Sequence, residues 1–361
     1  MSERRESTLG EIVTLQRGFD ITQFEQKIGD YPVVSSSGVK SYHNEWKVKG
    51  PGVVIGRKGT LGTVFYLKSD FWPHDTTLWV KDFHGNSPLF VFYFLRHFDL
   101  GMYDVGSSNP TLNRNHVHLL PACIPPLPEQ KVIAAVLNSL DDKIDLLHRQ
   151  HQTIEAMAAT LFRQWFVEEA TADWEERPLS SIATFLNGLA CQKYPPKNEL
   201  ERLPVLKIKE LSSGISESSD WASNAVKPEY IVEAGDVIFA WSASLMVKIW
   251  DGARCVLNQH LFKVTSAEFP KWFYLMWCKH HLAEFISISA SHATTMGHIK
   301  RGDLDAALVT VPPENELKAM TEQMSPLLDK QIAIARQIQT LQKLRDTLLP
   351  KLMSGEVRVA Y

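Results

Sequence analysis

The chain repeats itself. The segment TLNRNHVHLLPACIPP (111–126) lies over HIKRGDLDAALVTVPP (298–313) at a shift of 187 residues, with Leu112 over Ile299, Arg114 over Arg301 and Pro125-Pro126 over Pro312-Pro313. The same shift continues without a gap: Glu129 falls on Glu316, Lys131 on Lys318, Asp142-Lys143 on Asp329-Lys330, Arg149-Gln150 on Arg336-Gln337 and Thr160-Leu161 on Thr347-Leu348. A repeat of this kind constrains the fold before any local signal does, because what one copy forms the other must form as well. Upstream the likeness is looser. GVVIGRKGTLGTVFY (52–66) lies over DVIFAWSASLMVKIW (236–250), and LGEIVTLQRG (9–18) over LSSIATFLNG (179–188), ending on Gly18 and Gly188. A closely repeated second part and a loosely repeated first part imply a common frame that carries two different recognition surfaces.

The closely repeated part is helical. In the first copy, apolar or small residues fall at Ile133, Leu137, Leu140, Ile144, Leu147, His151, Ile154, Ala158, Leu161 and Trp165, with spacings that alternate between four and three. That is a heptad seam, the signature of a coiled coil. In the second copy the same register gives Met320, Met324, Leu327, Gln331, Ile334, Ile338, Leu341, Arg345, Leu348 and Leu352, where the polar Gln331 and Arg345 are expected to snorkel. Ser325-Pro326 reads as a helix start and Pro350 as a stop or kink, so the second helix is expected from about 326 to 349, roughly 36 Å long. The first has no internal proline and is expected to reach about 168. Two apolar stripes are most simply buried against each other. If the copies are related by a pseudo-two-fold rotation, this tandem repeat makes the helices an antiparallel coiled coil.

The loosely repeated parts alternate β-branched and aromatic runs with Gly, Ser, Asn and Pro turns. GVVIGRKG and TTLWVKD read as strands, and PLFVFYFLRHF and PKWFYLMWCKHHLAEF as amphipathic helices. The expected class is α+β: two mixed α/β domains with curled β-sheets, joined by the long helices. The divisions are 1–127 and 171–313 for the domains, 128–170 and 314–361 for the helical spacers, the last with a C-terminal tail.

Composition narrows the function. With 44% hydrophobic and 22% charged residues the chain is that of a globular protein. No apolar run approaches the roughly 18 residues of a membrane helix, and the charged start MSERRESTLGE has no apolar core, so a cytoplasmic location is expected. Cys123, Cys191, Cys255 and Cys278 form no CxxC pair; they are expected to be buried free thiols, with no metal site. A net charge of −3 argues against a protein that coats DNA by bulk charge. From Lys40 to Lys68, however, six basic residues face one acid, Glu45, which fits either a solvated surface or a local nucleic-acid patch.

Two loops per domain carry the candidate contacts. Gly56-Arg57-Lys58-Gly59-Thr60-Leu61-Gly62 combines close backbone approach with positive charge, and Arg57, Lys58 and Thr60 are its candidate DNA contacts. It lies between strand-like stretches and so is not a phosphate-binding P-loop. Its counterpart, 240–244, has lost the charge; Ser242 and Ser244 are the candidates there, Trp241 less so. The second loop supplies Ser107, Ser108, Asn109, Thr111, Asn113 and Arg114, and its counterpart Ser291, His292, Thr294, Thr295, His298, Lys300 and Arg301. Hydroxyl, amide and guanidinium groups are what base edges and phosphates require, although ordinary surface loops also carry them.

The ending LRDTLLPKLMSGEVRV (344–359), the joint IPPLPEQKVIAAVLNSLDDKID (124–145) and the GRKGTLG and NPTLNR loops together resemble specificity subunits of type I restriction–modification systems, over nearly the whole chain. The resemblance implies two target-recognition domains, each reading half of a bipartite, asymmetric DNA site, and a coiled coil that sets the gap between the halves. It implies docking of two methyltransferase subunits and, where the system has them, restriction subunits. S-adenosylmethionine, ATP and Mg would then bind those partners, and no cofactor this chain. No [DNS]PP[YF] methyltransferase motif and no P-loop occurs in the sequence, so a catalytic residue is not expected and adenine-N6 methylation would belong to the partner. An enzyme acting alone on DNA, and a coiled-coil adaptor without direct DNA readout, are the alternatives.

Overall fold

The computed structural model describes residues 4–103, 111–291 and 297–360. The chain divides into two compact units, Met1–Ile144 with Leu341–Tyr361, and Asp145–Thr340. Each unit therefore holds the beginning of one long helix and the end of the other.

In the first unit a four-stranded antiparallel sheet runs in the order Thr14–Arg17, Thr77–Asp82, Gly52–Gly56, Val64–Leu67. All five residues of Gly52–Gly56 are buried. Alternation sends Val53 and Ile55 into one core with Phe90 and Phe94, and Val54 into another with Val34 and Phe71. Burial on both faces is why this strand reads as an unbroken apolar run. Phe90 and Phe94 come from the helix Pro88–His97, which starts on a Ser87 cap with proline in its first turn. Val34 belongs to a smaller sheet of Gly38–His43, Tyr31–Ser35 and Trp72–Pro73. Arg5–Thr8 pairs with Pro121–Ile124 at the root of the first long helix.

The second unit repeats this plan. Its four-stranded sheet has the same order: Thr184–Asn187, Leu261–Thr265, Val237–Ala240, Met246–Ile249. Val237 and Phe239 enter one core with Phe273 and Phe285; Ile238 and Ala240 enter another with Trp250 and Leu257. The smaller sheet gains a strand, in the order Trp221–Ser223, Arg202–Leu206, Cys255–Leu257, Ile231–Val232. Glu175–Pro178 pairs with Leu308–Val311, as Arg5–Thr8 does with Pro121–Ile124. The expected helix over 270–285 is present as two, Lys271–His280 and Leu282–Ser291. The sheets are open and mixed with helices, as the α+β reading expects.

The first long helix spans Leu127–Arg163 and continues as a π-helical turn, Gln164–Glu168. The second spans Glu314–Ser354, so neither proline bounds it. Pro326 lies inside the helix, between Met324 and Leu328, which are both held in the core of the second unit. Pro350 likewise lies inside, beside Leu352 and Met353 in the core of the first unit. Packing on both sides outweighs the roughly 3 kcal/mol that an internal proline costs. The helix stops instead at Gly355, whose φ is +84°.

In the first unit the paired helix segments run in opposite directions. Arg345 Nη1 meets Asp141 Oδ1 at 2.7 Å, while Arg4 bridges Glu129 Oε1 (3.1 Å) to the Leu352 carbonyl (2.8 Å), so one helix returns as the other advances. Tyr93 Oη also donates to Asp141, at 2.7 Å, which ties the domain to both helices. The predicted seam residues Ile133, Leu137, Ile144, Leu147, Ile334 and Ile338 are buried, and Leu140, Ile154, Leu161, Leu327, Leu341 and Leu348 are half-buried. In the second unit the burial has turned by one position, onto Phe162, Phe166 and Leu328, because the domain helix Lys271–His280 claims that face: Trp277 lies 5.0 Å from Phe162 and 5.3 Å from Phe166. Gln331 does not snorkel; it is buried, at 6% exposure. Arg345 stays in reach of water and pairs with Asp141 and Asp346. Three cysteines are buried, but Cys123 is exposed, because it lies on a strand with a partner on one side only. No helix among the described residues is long and apolar enough to cross a membrane.

Candidate nucleic-acid interface

In the first unit the loop after Gly52–Gly56 is pinned from two directions. The Arg57 and Lys58 amides donate to the Thr76 carbonyl at 2.9 and 3.1 Å, and the Leu112 amide donates to the Arg57 carbonyl at 2.9 Å. A Lys58–Thr111 bridge completes the join. The sequence permits this because Gly56 has no side chain: a Cβ there would lie 2.1 Å from the Thr60 carbonyl oxygen. Pinning brings the Arg57 side chain beside the end of the strand Thr14–Arg17. Arg17, Arg57, Thr111, Asn113 and Arg114 line one concavity of about 340 Å³, floored by Leu78 and Leu112. Arg17 Nη2 donates to Asp75 Oδ2 at 2.7 Å. Burial first, then the neighbouring Arg17 charge, pulls the Arg57 guanidinium below its ordinary pKa, although a guanidinium remains charged at any physiological pH.

The second unit builds the same frame with other chemistry. The Trp241 amide donates to the His260 carbonyl at 3.4 Å and the Ile299 amide to the Trp241 carbonyl at 3.1 Å. A Ser242–His298 bridge stands where Lys58–Thr111 stands in the first unit. Gly18 and Gly188 make equivalent close approaches: a Cβ would lie 2.1 Å from the His74 carbonyl oxygen or 2.3 Å from that of Asn258. These matches place Arg17 over Asn187, Arg57 over Trp241, Lys58 over Ser242, Asp75 over Gln259 and Thr76 over His260. The indole of Trp241 stacks on Phe262, with centroids 5.6 Å apart, and its Nε1 donates to Asn187 Oδ1 at 3.1 Å. Guanidinium and ammonium groups have given way to indole, amide and imidazole.

The residues expected from the sequence are distributed as follows. Lys58, Thr60, Arg114, Ser244, Lys300 and Arg301 are exposed, and Arg57, Thr111 and His298 are half-buried at the site. Asn113 Oδ1 accepts from the Asn115 amide and so caps the helix Arg114–His118. Ser242 is buried, with Oγ 3.1 Å from His260 Nδ1, whereas its neighbour Trp241 is half-buried, so of these two the indole is the accessible group. Ser291 closes the helix Leu282–Ser291, with its hydroxyl donating to the Ile288 carbonyl. Ser107, Ser108, Asn109, His292, Thr294 and Thr295 lie outside the described residues. Lys68, the last of the basic run, faces Asp142 at 3.7 Å. Sequence reasoning missed Arg17, Asp75, Asn187, Gln259 and His260. The alignment of LGEIVTLQRG over LSSIATFLNG held the signal for two of them, since it sets Arg17 on Asn187.

Asp20, His74 and Asp75 place three candidate ligand atoms within 4.8 Å of one another. The Asp75 carboxylate is already engaged by Arg17 on one oxygen, with His74 Nδ1 3.1 Å from the other, so this group serves Arg17.

The family model "Type I restriction modification DNA specificity domain" matches residues 1–156 and again 171–343. The chain belongs to the type I restriction–modification DNA specificity family. Among its relatives, the type I restriction enzyme MjaIX specificity subunit of Methanocaldococcus jannaschii is 26% identical over 279 residues, which is 70% of this chain and 64% of that protein. The type I restriction enzyme EcoBI specificity subunit of Escherichia coli is 26% identical over 192 residues, 51% of this chain and 39% of that one. The chain thus spans less than two thirds of the length of these relatives. The crystal structure of a type I restriction–modification system S subunit from M. genitalium has the same fold, with a TM-score of 0.67 at 13% identity over 97% of this chain and 96% of that one.

Proposed function

We propose that this chain is the DNA specificity subunit of a type I restriction–modification complex and is not itself catalytic. One observation above all supports it: the loops are joined by the same backbone frame in both units, and the side chains on that frame differ in charge and hydrogen-bonding type. A protein that recognises two unlike half-sites of double-stranded DNA needs that combination. Groups of this kind position a protein on phosphates and discriminate base edges.

The long helices act as the spacer and as the platform for two methyltransferase subunits, with restriction subunits added where the system has them. S-adenosylmethionine, ATP and Mg belong to the partner subunits on this reading.

The test is co-expression with a methyltransferase subunit from the same host. The two should purify together and retard one duplex sequence in preference to others. Separate elution would remove the assembly role. A stable complex that shifts no duplex would leave a protein adaptor.

A further inference from the structure

In both units the first strand of the four-stranded sheet ends at the site on a planar hydrogen-bonding side chain held by one neighbour. Arg17 ends Thr14–Arg17 and is held by the Asp75 carboxylate at 2.7 Å. Asn187 ends Thr184–Asn187 and is held by the Trp241 indole at 3.1 Å. The orienting device is kept while its chemistry changes. Both residues are exposed.

Phosphates are alike in every half-site, so a contact to them gains nothing from a change of side chain between the repeats, and a cation kept in both is the group expected to supply the charge. Arg114 and Arg301 meet that condition: each is the exposed first residue of a short helix. The position of Arg17 and Asn187 does not, because it carries a cation in one unit and a neutral amide in the other. Nor is Arg17 a free positive charge, since Asp75 offsets it. What remains is a guanidinium held through one Nη, with further N–H groups open to a ligand. That is the donor fork which pairs with guanine O6 and N7.

We infer that Arg17 reads a guanine in one half-site, that Asn187 reads a different base at the equivalent place in the other, and that Asp75 and Trp241 are the residues that position them. This rests on the DNA-reading function proposed above. Arg114 and Arg301 hold the phosphates.

The experiment selects duplexes from a randomised pool with the full chain in complex with its co-expressed methyltransferase. Arg17→Ala should abolish the guanine preference at one position of one half-site, a loss of about ten- to a hundredfold in discrimination, and leave the other half-site unchanged. Arg17→Lys preserves the charge, and so the fold, but replaces the planar fork by a single nitrogen that cannot hold Asp75 and pair both acceptors at once; it should weaken the same preference. Asp75→Asn should weaken preference at that position alone, and Asn187→Ala should flatten one position of the other half-site. Arg114→Ala should weaken all sequences alike and lessen the salt dependence. Base preferences left intact in Arg17→Ala and Arg17→Lys, with affinity uniformly lower, would make Arg17 a backbone contact and overturn the inference. A parent complex that enriches no sequence would instead overturn the DNA-reading function itself.

Discussion

Glu129 lies at the start of the first long helix with no exposed side-chain surface, and Arg4 is its partner at 3.1 Å. Arg4 also donates to the carbonyls of Leu352 and Met353 at the end of the second long helix. One guanidinium thus closes the first unit across its N-terminal strand and both helices. The lock is demanding, because Glu129 Oε2 and Arg4 Nε are buried without a protein partner. Removal of one member of a buried pair strands the other charge, so Glu129→Ala should cost about 3–5 kcal/mol of stability, measured by denaturant unfolding. An unchanged midpoint would show that the pair is dispensable. At the interface the expectation is different. Arg57→Ala with Lys58→Ala should weaken DNA binding and leave assembly intact, since the loop is pinned through backbone atoms. Binding titrations of the purified complex, beside its elution profile, separate the two effects.

At the level of elements, heptad spacing located both long helices, and β-branched alternation located the central strands. The failures have physical causes. Proline and cap signals describe an isolated helix, whereas Pro326 is carried through by Met324 and Leu328 in a shared core. Pro326→Ala restores an amide at an exposed helical position and should stabilise the chain by about 1–3 kcal/mol; a drop in melting temperature would show that the helix needs the proline. The heptad register placed burial on Leu327, but the domain helix draws Leu328 into the core. Leu328→Ala should therefore cost about 2–5 kcal/mol and Leu327→Ala distinctly less, compared by thermal or denaturant unfolding. At the site, the basic loop was legible from its glycines and charges. Within that unit its neighbours were not, because Arg17 comes from another strand and Asp75 from the turn before Thr77–Asp82, and strand pairing is not written in any one segment.

For the whole molecule the repeat is the organising fact. Each unit takes one end of each long helix, so the two sheets that carry the sites share a pair of continuous helices of 37 and 41 residues. Insertion of one heptad into both helices should change the distance between the recognised half-sites and leave their sequences as they were. A methylome of the host with and without this chain tests whether it directs modification to a bipartite site. Adenine methylation at one motif, made of two unlike blocks around a fixed gap, should be lost when the chain is deleted and return with it. A methylome that does not change on deletion, or loss of methylation at a single unbroken palindrome, would contradict that role.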